Sequence, residues 1–438
     1  MDDCVNKPDA PECITDERAF FVSPTGDDTA SGTKAAPLRT LEATLGKVTA
    51  DKKRIYVCDG SYAEDLVLEA KHSGVSIFGG FTCEWAASSA KPTFGKSALA
   101  LKLTGATGVA IAGLAFDAAD AKTSGGSSIA AFVSSAEVTF KNVRLKAGAG
   151  LAGEDGTLAA FTYPDATALQ GKNGDAPGNG AATSVTCEGD NGTSTTGGAG
   201  GASGFAGDPG TPNGSPNGGS VSQCEINNTG GGNGQPGTSP PAAIATTKHG
   251  LLAEQGWQPY AGTSGAKGGA GQGGGGGGGY NGGHGGGGAA GGCGGAGGGG
   301  GKGGGASIAL ASLQSTVRIE GSSLVASNAG NGGHGVDGQP GQTPGGTRGL
   351  ASGVGASCNG GNGGPGGNGA AGAGGPGGVS IGILYKGATP SVDPATSAAT
   401  TVGTPAAGGV GGKPGVAPGG NDGPVGIADK LKNASELE

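Results

Sequence analysis

The chain has 438 residues, 106 of them Gly and 24 Pro, and a net charge of −8. So much Gly and Pro, with aromatics at only 4 %, excludes one large apolar core and leaves room for a thin, repetitive one. The basic residues are scattered through an acidic chain, which argues against a nucleic-acid partner, and no apolar run reaches the ~18 residues of a membrane-spanning helix.

Residues 1–18 read as a polar tail. No export signal is visible in it, and the chain reads as an exported protein whose signal is already gone, with lipid attachment at Cys4 left open. Phe20 to Ser23 reads as a strand. A turn-rich loop follows, and Pro37 then opens a helix at its first position. Leu38, Leu41, Leu45 and Val48 lie on one face of that helix, which is expected to cover an open sheet end. Ile55-Tyr56-Val57 and Leu66-Val67-Leu68 are the next strands.

The stretch that organises the rest is SIAAFVSSAEVTFKNVRL, Ser128 to Leu145, which recurs as SIALASLQSTVRIEGSSL, Ser307 to Leu324. Ile129 and Val138 match Ile308 and Val317; Phe140 matches Ile319, and Leu145 matches Leu324. Val109, Ile111, Leu114 and Phe116 share the spacing of Val138, Phe140, Val143 and Leu145, and Val75 and Ile77 open a fourth copy. Two β-branched or aromatic residues at i and i+2 face one side of a strand. The residue two further on is Gly79, Gly113, Asn142 or Gly321, types that bend a chain through a left-handed backbone at little cost. Strand, one-residue corner and strand is the unit of a parallel β-helix, whose turns must stack to bury their apolar faces. The fold class is therefore all-β, a parallel β-helix solenoid interrupted by glycine-rich insertions. The expected boundaries are a cap and first turns over 19–146, an insertion over 147–305, a returning turn at 306–327, a second insertion over 328–378, and a last turn with a small-residue tail over 379–438.

The run FFVSPTGDDTASGTKAAPLRTLEATL, followed by RIYVCDGSYAEDLVL, resembles the N-terminal capping module of pectin-lyase-like right-handed β-helix proteins. The resemblance covers roughly residues 19–145. It implies the handedness and the fold. It leaves activity open, since that group includes polysaccharide lyases, hydrolases and surface adhesins.

Within the insertions glycine falls at every third position: at 198, 201, 204, 207 and 210, at 332, 335, 338 and 341, and without a break from 360 to 378. A polyproline-II-type helix has three residues per turn, so this spacing makes one edge wholly glycine and lets backbones approach along it. The expectation is a polyglycine II bundle rather than a flexible linker.

Eight cysteines, at 4, 13, 58, 83, 187, 224, 293 and 358, contain no Cys-x-x-Cys pair and point to disulfides in an oxidising compartment. Sequential pairing is expected: Cys4 with Cys13, Cys58 with Cys83, Cys187 with Cys224, and Cys293 with Cys358.

No catalytic residue stands out, and no cofactor or metal is expected. Asp117 beside Lys146 is the nearest approach to a lyase-like acid and base, but a salt bridge or solvated side chains explains it more simply. Asp27-Asp28, Glu64-Asp65 and Glu154-Asp155 are adjacent residues that point apart on an extended chain and serve turns better than acid–base work. His72, His249, His284 and His334 are too dispersed for a metal. GGHGVD at 332–337 starts like a calcium-binding nonapeptide, but it stands alone and Gln339 occupies the apolar position.

The reading is an exported protein of a bacterial cell surface, acting as a disulfide-braced scaffold or adhesin. Trp257, Tyr260 and Tyr280 are aromatics set among small polar residues and suit contact with a surface glycan or another surface protein. The rival is a carbohydrate-active β-helix enzyme. Ice binding is a third reading, weakened by scattered threonines.

Overall fold

The computed structural model describes residues 9–175, 178–188, 193–212, 230–353, 357–413 and 421–438. Three parallel sheets dominate it. The first runs β1 (Ala19–Val22), β2 (Arg54–Cys58), β5 (Ser76–Phe81), β8 (Val109–Ala112), β11 (Glu137–Lys141), β18 (Thr316–Glu320), β21 (Ser391–Val392). The second runs β3 (Ser61–Tyr62), β6 (Thr93–Phe94), β9 (Ala115–Asp117), β12 (Arg144–Lys146), β19 (Ser323–Val325). The third runs β4 (Leu66–Glu69), β7 (Leu99–Thr104), β10 (Ser128–Ser134), β17 (Ser307–Leu313), β20 (Ser380–Lys386), β22 (Ala428–Asn433). Successive strands mostly enter the three sheets in turn, and each strand pairs with its neighbours in the order of its own sheet.

The internal repeat is the register of these sheets. Val138 pairs with Val317 and Phe140 with Ile319, Leu145 with Leu324, and Ile129 with Ile308. On the other side Val138 meets Val109 and Phe140 meets Ile111. Like residues therefore stack in columns: Ile55, Ile77, Ile111, Phe140 and Ile319 in the first sheet, and Phe94, Phe116, Leu145 and Leu324 in the second. Nearly all of these side chains are wholly buried in one continuous core. Tyr62 stacks on Phe94 with ring centroids 4.6 Å apart at the start of the second column.

The corners between the first and second sheets use the expected residues in three copies. Gly113, Asn142 and Gly321 take φ of 71°, 52° and 55°. In the copy that departs from the pattern the left-handed residue is Gly80, one place later, where the register between β2 and β5 shifts. Gly79 must still be glycine, because a Cβ there would strike the Gly113 carbonyl oxygen.

The first helix starts later than the sequence suggested. It is α1 (Leu41–Leu45), capped by the Thr40 side chain, which accepts from the Ala43 N–H at 3.1 Å. Pro37 does not open it. Leu38 instead pairs with the first strand, donating to Phe21 O at 2.9 Å and accepting from Ser23 N at 2.8 Å. Leu41 and Leu45 still pack on the core end, as expected of a cover. The segment read as a small-residue tail returns to the third sheet: β22 pairs with β20, Leu437 is buried, and Glu438 forms an ion pair with Lys386 at 2.5 Å. Helix α2 (Pro394–Ala399) packs beside β18 and β19.

Cys58 and Cys83 are joined with Cα atoms 4.8 Å apart, the distance between neighbouring strands. The sequential expectation fails at the next pair. Cys187 is joined to Cys293, not to Cys224, and so Cys293 is not joined to Cys358. The reason is that the glycine-rich segments do not stack in chain order. The hairpin β13 (Thr183–Thr186) and β14 (Ser194–Gly197) lies against the segment carrying Cys293, and Cys187, Cys293, Leu169, Val185 and Ala290 form a small core of their own. Cys13 and Cys358 are disulfide-bonded as well, and Cys4 and Cys224 lie outside the described residues.

His72 is buried, and its Nδ1 accepts from the Glu69 N–H at 3.0 Å. Burial, then the Lys71 ammonium, hold its pKa below the usual imidazole value, against an opposing pull from Glu69. The folded state thus prefers the neutral ring, and its contribution is complete above the unfolded value of ~6.5. Stability is expected to fall as pH drops from about 7 through that window. Thermal melts of wild type and His72→Gln at stepped pH check this: the variant should lose the His72 part of the slope, and parallel curves would contradict it.

Candidate binding surface

The excursions between sheets are extended segments tied to one another by backbone hydrogen bonds. Gly265, Gly268, Gly271, Gly274 and Gly277 donate to the carbonyls of Gly298, Gly295, Gly292, Ala289 and Gly286 at 2.8–2.9 Å. The segment carrying those acceptors donates onward, from Gly292, Gly295 and Gly298 to Gly364, Gly367 and Ala370. Gly366, Gly369, Gly372 and Gly375 then donate to Gln342, Gln339, Val336 and Gly333. In every case the donors are three residues apart. A Cβ on Gly366, Gly369, Gly372 or Gly375 would lie under 3.0 Å from the carbonyl oxygens of Cys293, Ala296, Gly299 and Lys302. Only glycine fits such lines, which is the physical content of the three-residue spacing.

At the outer segments side chains take over as acceptors. Asn359 Oδ1 receives the Ala351 N–H, Asn362 Oδ1 the Arg348 N–H and Asn368 Oδ1 the Gly341 N–H, each at 2.9 Å. Asn331 and Asn173 do the same for Ala407 and Leu350. The Asn-Gly pairs along these runs are thus part of the bonding, an amide side chain standing where a neighbouring carbonyl would otherwise be.

These segments begin and end near the sheets at residues 305, 330 and 378, and turn at their opposite end. Gly283 N closes one turn on Tyr280 O at 3.0 Å, with Asn281 and Gly282 at φ of 48° and 87°. Phe205 N closes a second on Ala202 O at 2.8 Å, with Gly204 at φ 82°. The two turns are bonded to each other: Gly279 N donates to Phe205 O at 3.0 Å, Gly204 N to Gly279 O at 3.0 Å, and Gly282 N to Ser203 Oγ at 2.9 Å. Ser352 N and His284 O join the next segment at 3.0 Å. Phe205 is 71 % exposed, Leu350 53 % and Tyr280 40 %. Two exposed aromatic side chains thus sit on interlocked turns.

Of the three aromatics singled out from sequence, Tyr280 therefore lies at this end. Trp257 does not. It sits in β16 (Gly256–Pro259), paired with β15 (Gly250–Ala253), and is buried with Leu252 against Ile129, Phe132, Ile308 and Ile381 on the third sheet. Its burial follows from the apolar outer face of that sheet, which needs a cover and which composition does not show. Tyr260 follows the hairpin and is half-buried. Phe205 and Leu350 were missed. Phe205 is the one large side chain in the 198–210 glycine array, which was the available signal.

Most of the chemistry-bearing residues are otherwise occupied, the exception being His284, whose Nδ1 is buried without a hydrogen-bond partner. Asp117 accepts from Arg144 Nε and Nη2 at 3.0 and 2.7 Å, a two-point ion pair between adjacent strands, and Lys146 is exposed. Lys91 donates to Asn142 Oδ1 at 2.8 Å, and burial, then the Arg144 charge, hold its amine below the usual lysine range. Asp117→Asn is expected to cost no more than about 1 kcal/mol, as for other half-exposed pairs, measured by denaturant unfolding; a loss of several kcal/mol would contradict it. Asp28 accepts from Arg39 and Thr40 N–H groups, Asp65 from Lys96 and Ser97, and Glu64 from Leu41 and Glu42. Burial raises the Glu64 pKa, and the two N–H donors oppose it. Within GGHGVD, His334 Nδ1 accepts from Val410 N at 2.8 Å, and Asp337 accepts from Lys413 N. Among the described residues no three His, Cys, Asp or Glu side chains gather as a metal site would need.

Compared with known proteins, the chain matches no family model, no curated protein and no solved structure.

Proposed function

We propose that this chain is an exported structural scaffold whose glycine-rich segments carry a binding surface away from a β-helical base. In this reading the three parallel sheets are the walls of a parallel β-helix, and the cross-bonded segments are a polyglycine II bundle rooted in it. The observation that carries the reading is the Phe205 and Tyr280 pair, exposed on turns whose backbones are fixed to one another. From Gly305 to Tyr280 is 25 residues, roughly 75 Å at ~3.1 Å per residue of an extended three-fold helix. Fixed turns lose little entropy on binding, which favours recognition by a few rigid rings. Disulfides bracing both the sheets and the glycine-rich part suit an oxidising, extracellular setting. The enzyme reading draws no comparable support, since Asp117 is committed to Arg144.

Fluorescently labelled chain on a panel of bacterial and animal cells tests the proposal. Wild type should bind at least one surface, and Phe205→Ser/Tyr280→Ser should lose that binding at an unchanged melting temperature. Equal binding by the variant, or binding to no surface at all, would overturn it.

A further inference from the structure

We infer that the turn cluster recognises an uncharged carbohydrate. The inference rests on the binding role proposed above and deepens it. Residues 202–207 and 279–287 form the two interlocked turns and their flanks, with 349–353 beside them; none of these stretches contains Asp, Glu, Lys or Arg, and Asp208 and Arg348 stand just outside them. Asp175 follows Gly174, whose N–H donates to Leu350 O at 2.8 Å, so an acidic residue flanks the Leu350 side and not the two interlocked turns. In a chain of net charge −8, two turns with no charged residue of their own offer little attraction to an anionic or cationic ligand and little electrostatic steering.

The cluster offers flat rings and short polar groups. Phe205 and Tyr280 supply apolar faces, and Tyr280 adds a hydroxyl. Around them lie Ser203, Asn281, Ser352 and Ser357. Their neighbourhood is held in place before any ligand arrives: Ser203 Oγ accepts from Gly282 N, Ser352 Oγ from His284 N at 2.8 Å, and Ser357 Oγ from Tyr280 N at 3.4 Å. A hydroxyl that accepts from a backbone N–H keeps its own proton for an outside acceptor. Apolar faces beside uncharged donors match a neutral sugar ring, which has C–H groups on one face and hydroxyls around its rim. A protein partner fits less well, because three exposed large side chains fall short of the ~800 Å² per partner of a stable interface.

The test uses the full purified chain, immobilised, against soluble dextran, mannan, galactan and xylan, with alginate and polygalacturonate as acidic counterparts, at low and high salt. Binding to at least one neutral polymer is expected, unchanged by salt, and weakened about three- to tenfold by Phe205→Ala or Tyr280→Ala, the scale of one lost ring contact. Binding only to the acidic polymers with a salt dependence, binding to none, or binding unchanged in both variants would overturn the inference. Periodate treatment of a cell surface that the chain binds separates the two claims. If binding survives loss of the sugar diols but still fails in the Phe205→Ser/Tyr280→Ser chain, the carbohydrate inference falls and the binding role stands. If the double variant binds as wild type does, both fall.

Discussion

Replacing Gly366 by alanine is expected to destabilise the glycine-rich part by about 3 kcal/mol or more. The added Cβ would land on the Cys293 carbonyl oxygen. That oxygen cannot step aside cheaply, because it already accepts from Gln342 N at 2.8 Å. Gly366 in turn donates to Gln342 O at 2.9 Å, so moving its own segment breaks a second bond. A methyl group here therefore forces three backbones to shift together, where an ordinary core methyl displaces one side chain. Gly353 is the matched control, since a Cβ there meets open space, and Gly353→Ala should change stability by no more than ~0.5 kcal/mol. Denaturant unfolding of both variants decides it. Equal midpoints would mean that the glycine lines are not in contact.

Removing the Cys187–Cys293 bridge is expected to cost about 4–5 kcal/mol on the chain-entropy account, because the bridge closes 106 residues. Most of that span is glycine-rich, and glycine gives the unfolded chain its greatest freedom, so the constraint acts where it matters most. The bridge also pins the β13–β14 hairpin to the segment that feeds β17. Cys187→Ser/Cys293→Ser should therefore loosen the glycine-rich segments while leaving the parallel sheets folded. Two separated unfolding transitions by calorimetry would show this, and an unchanged single transition would contradict it.

The sheet register was legible because like side chains recur at the paired positions of successive strands in one sheet. Val138 over Val317 is a sequence repeat and a stacking contact at once. The corner at Asn142 was legible for the same reason, since few residue types tolerate its φ of 52°. The glycine spacing was legible as a steric demand along a line. Neighbour choice among the segments was hidden, because one glycine line fits against another equally well, and that is why Cys187 was given the wrong partner. The cover that buries Trp257 was not legible, because it depends on a hairpin folding over a distant sheet face, which leaves no local pattern. The side-chain acceptors were overlooked although Asn-Gly pairs recur through the insertions. Isolated from their neighbours, those pairs look like turn signals.

Amide hydrogen exchange over residues 357–378 most directly probes whether the detours are built structure. Gly363, Gly366, Gly369, Gly372 and Gly375 each donate to a neighbouring backbone, and their amides should exchange over minutes to hours, slower than the exposed loop amides of the same chain. Exchange of all five at the rate of an unstructured peptide would contradict the account.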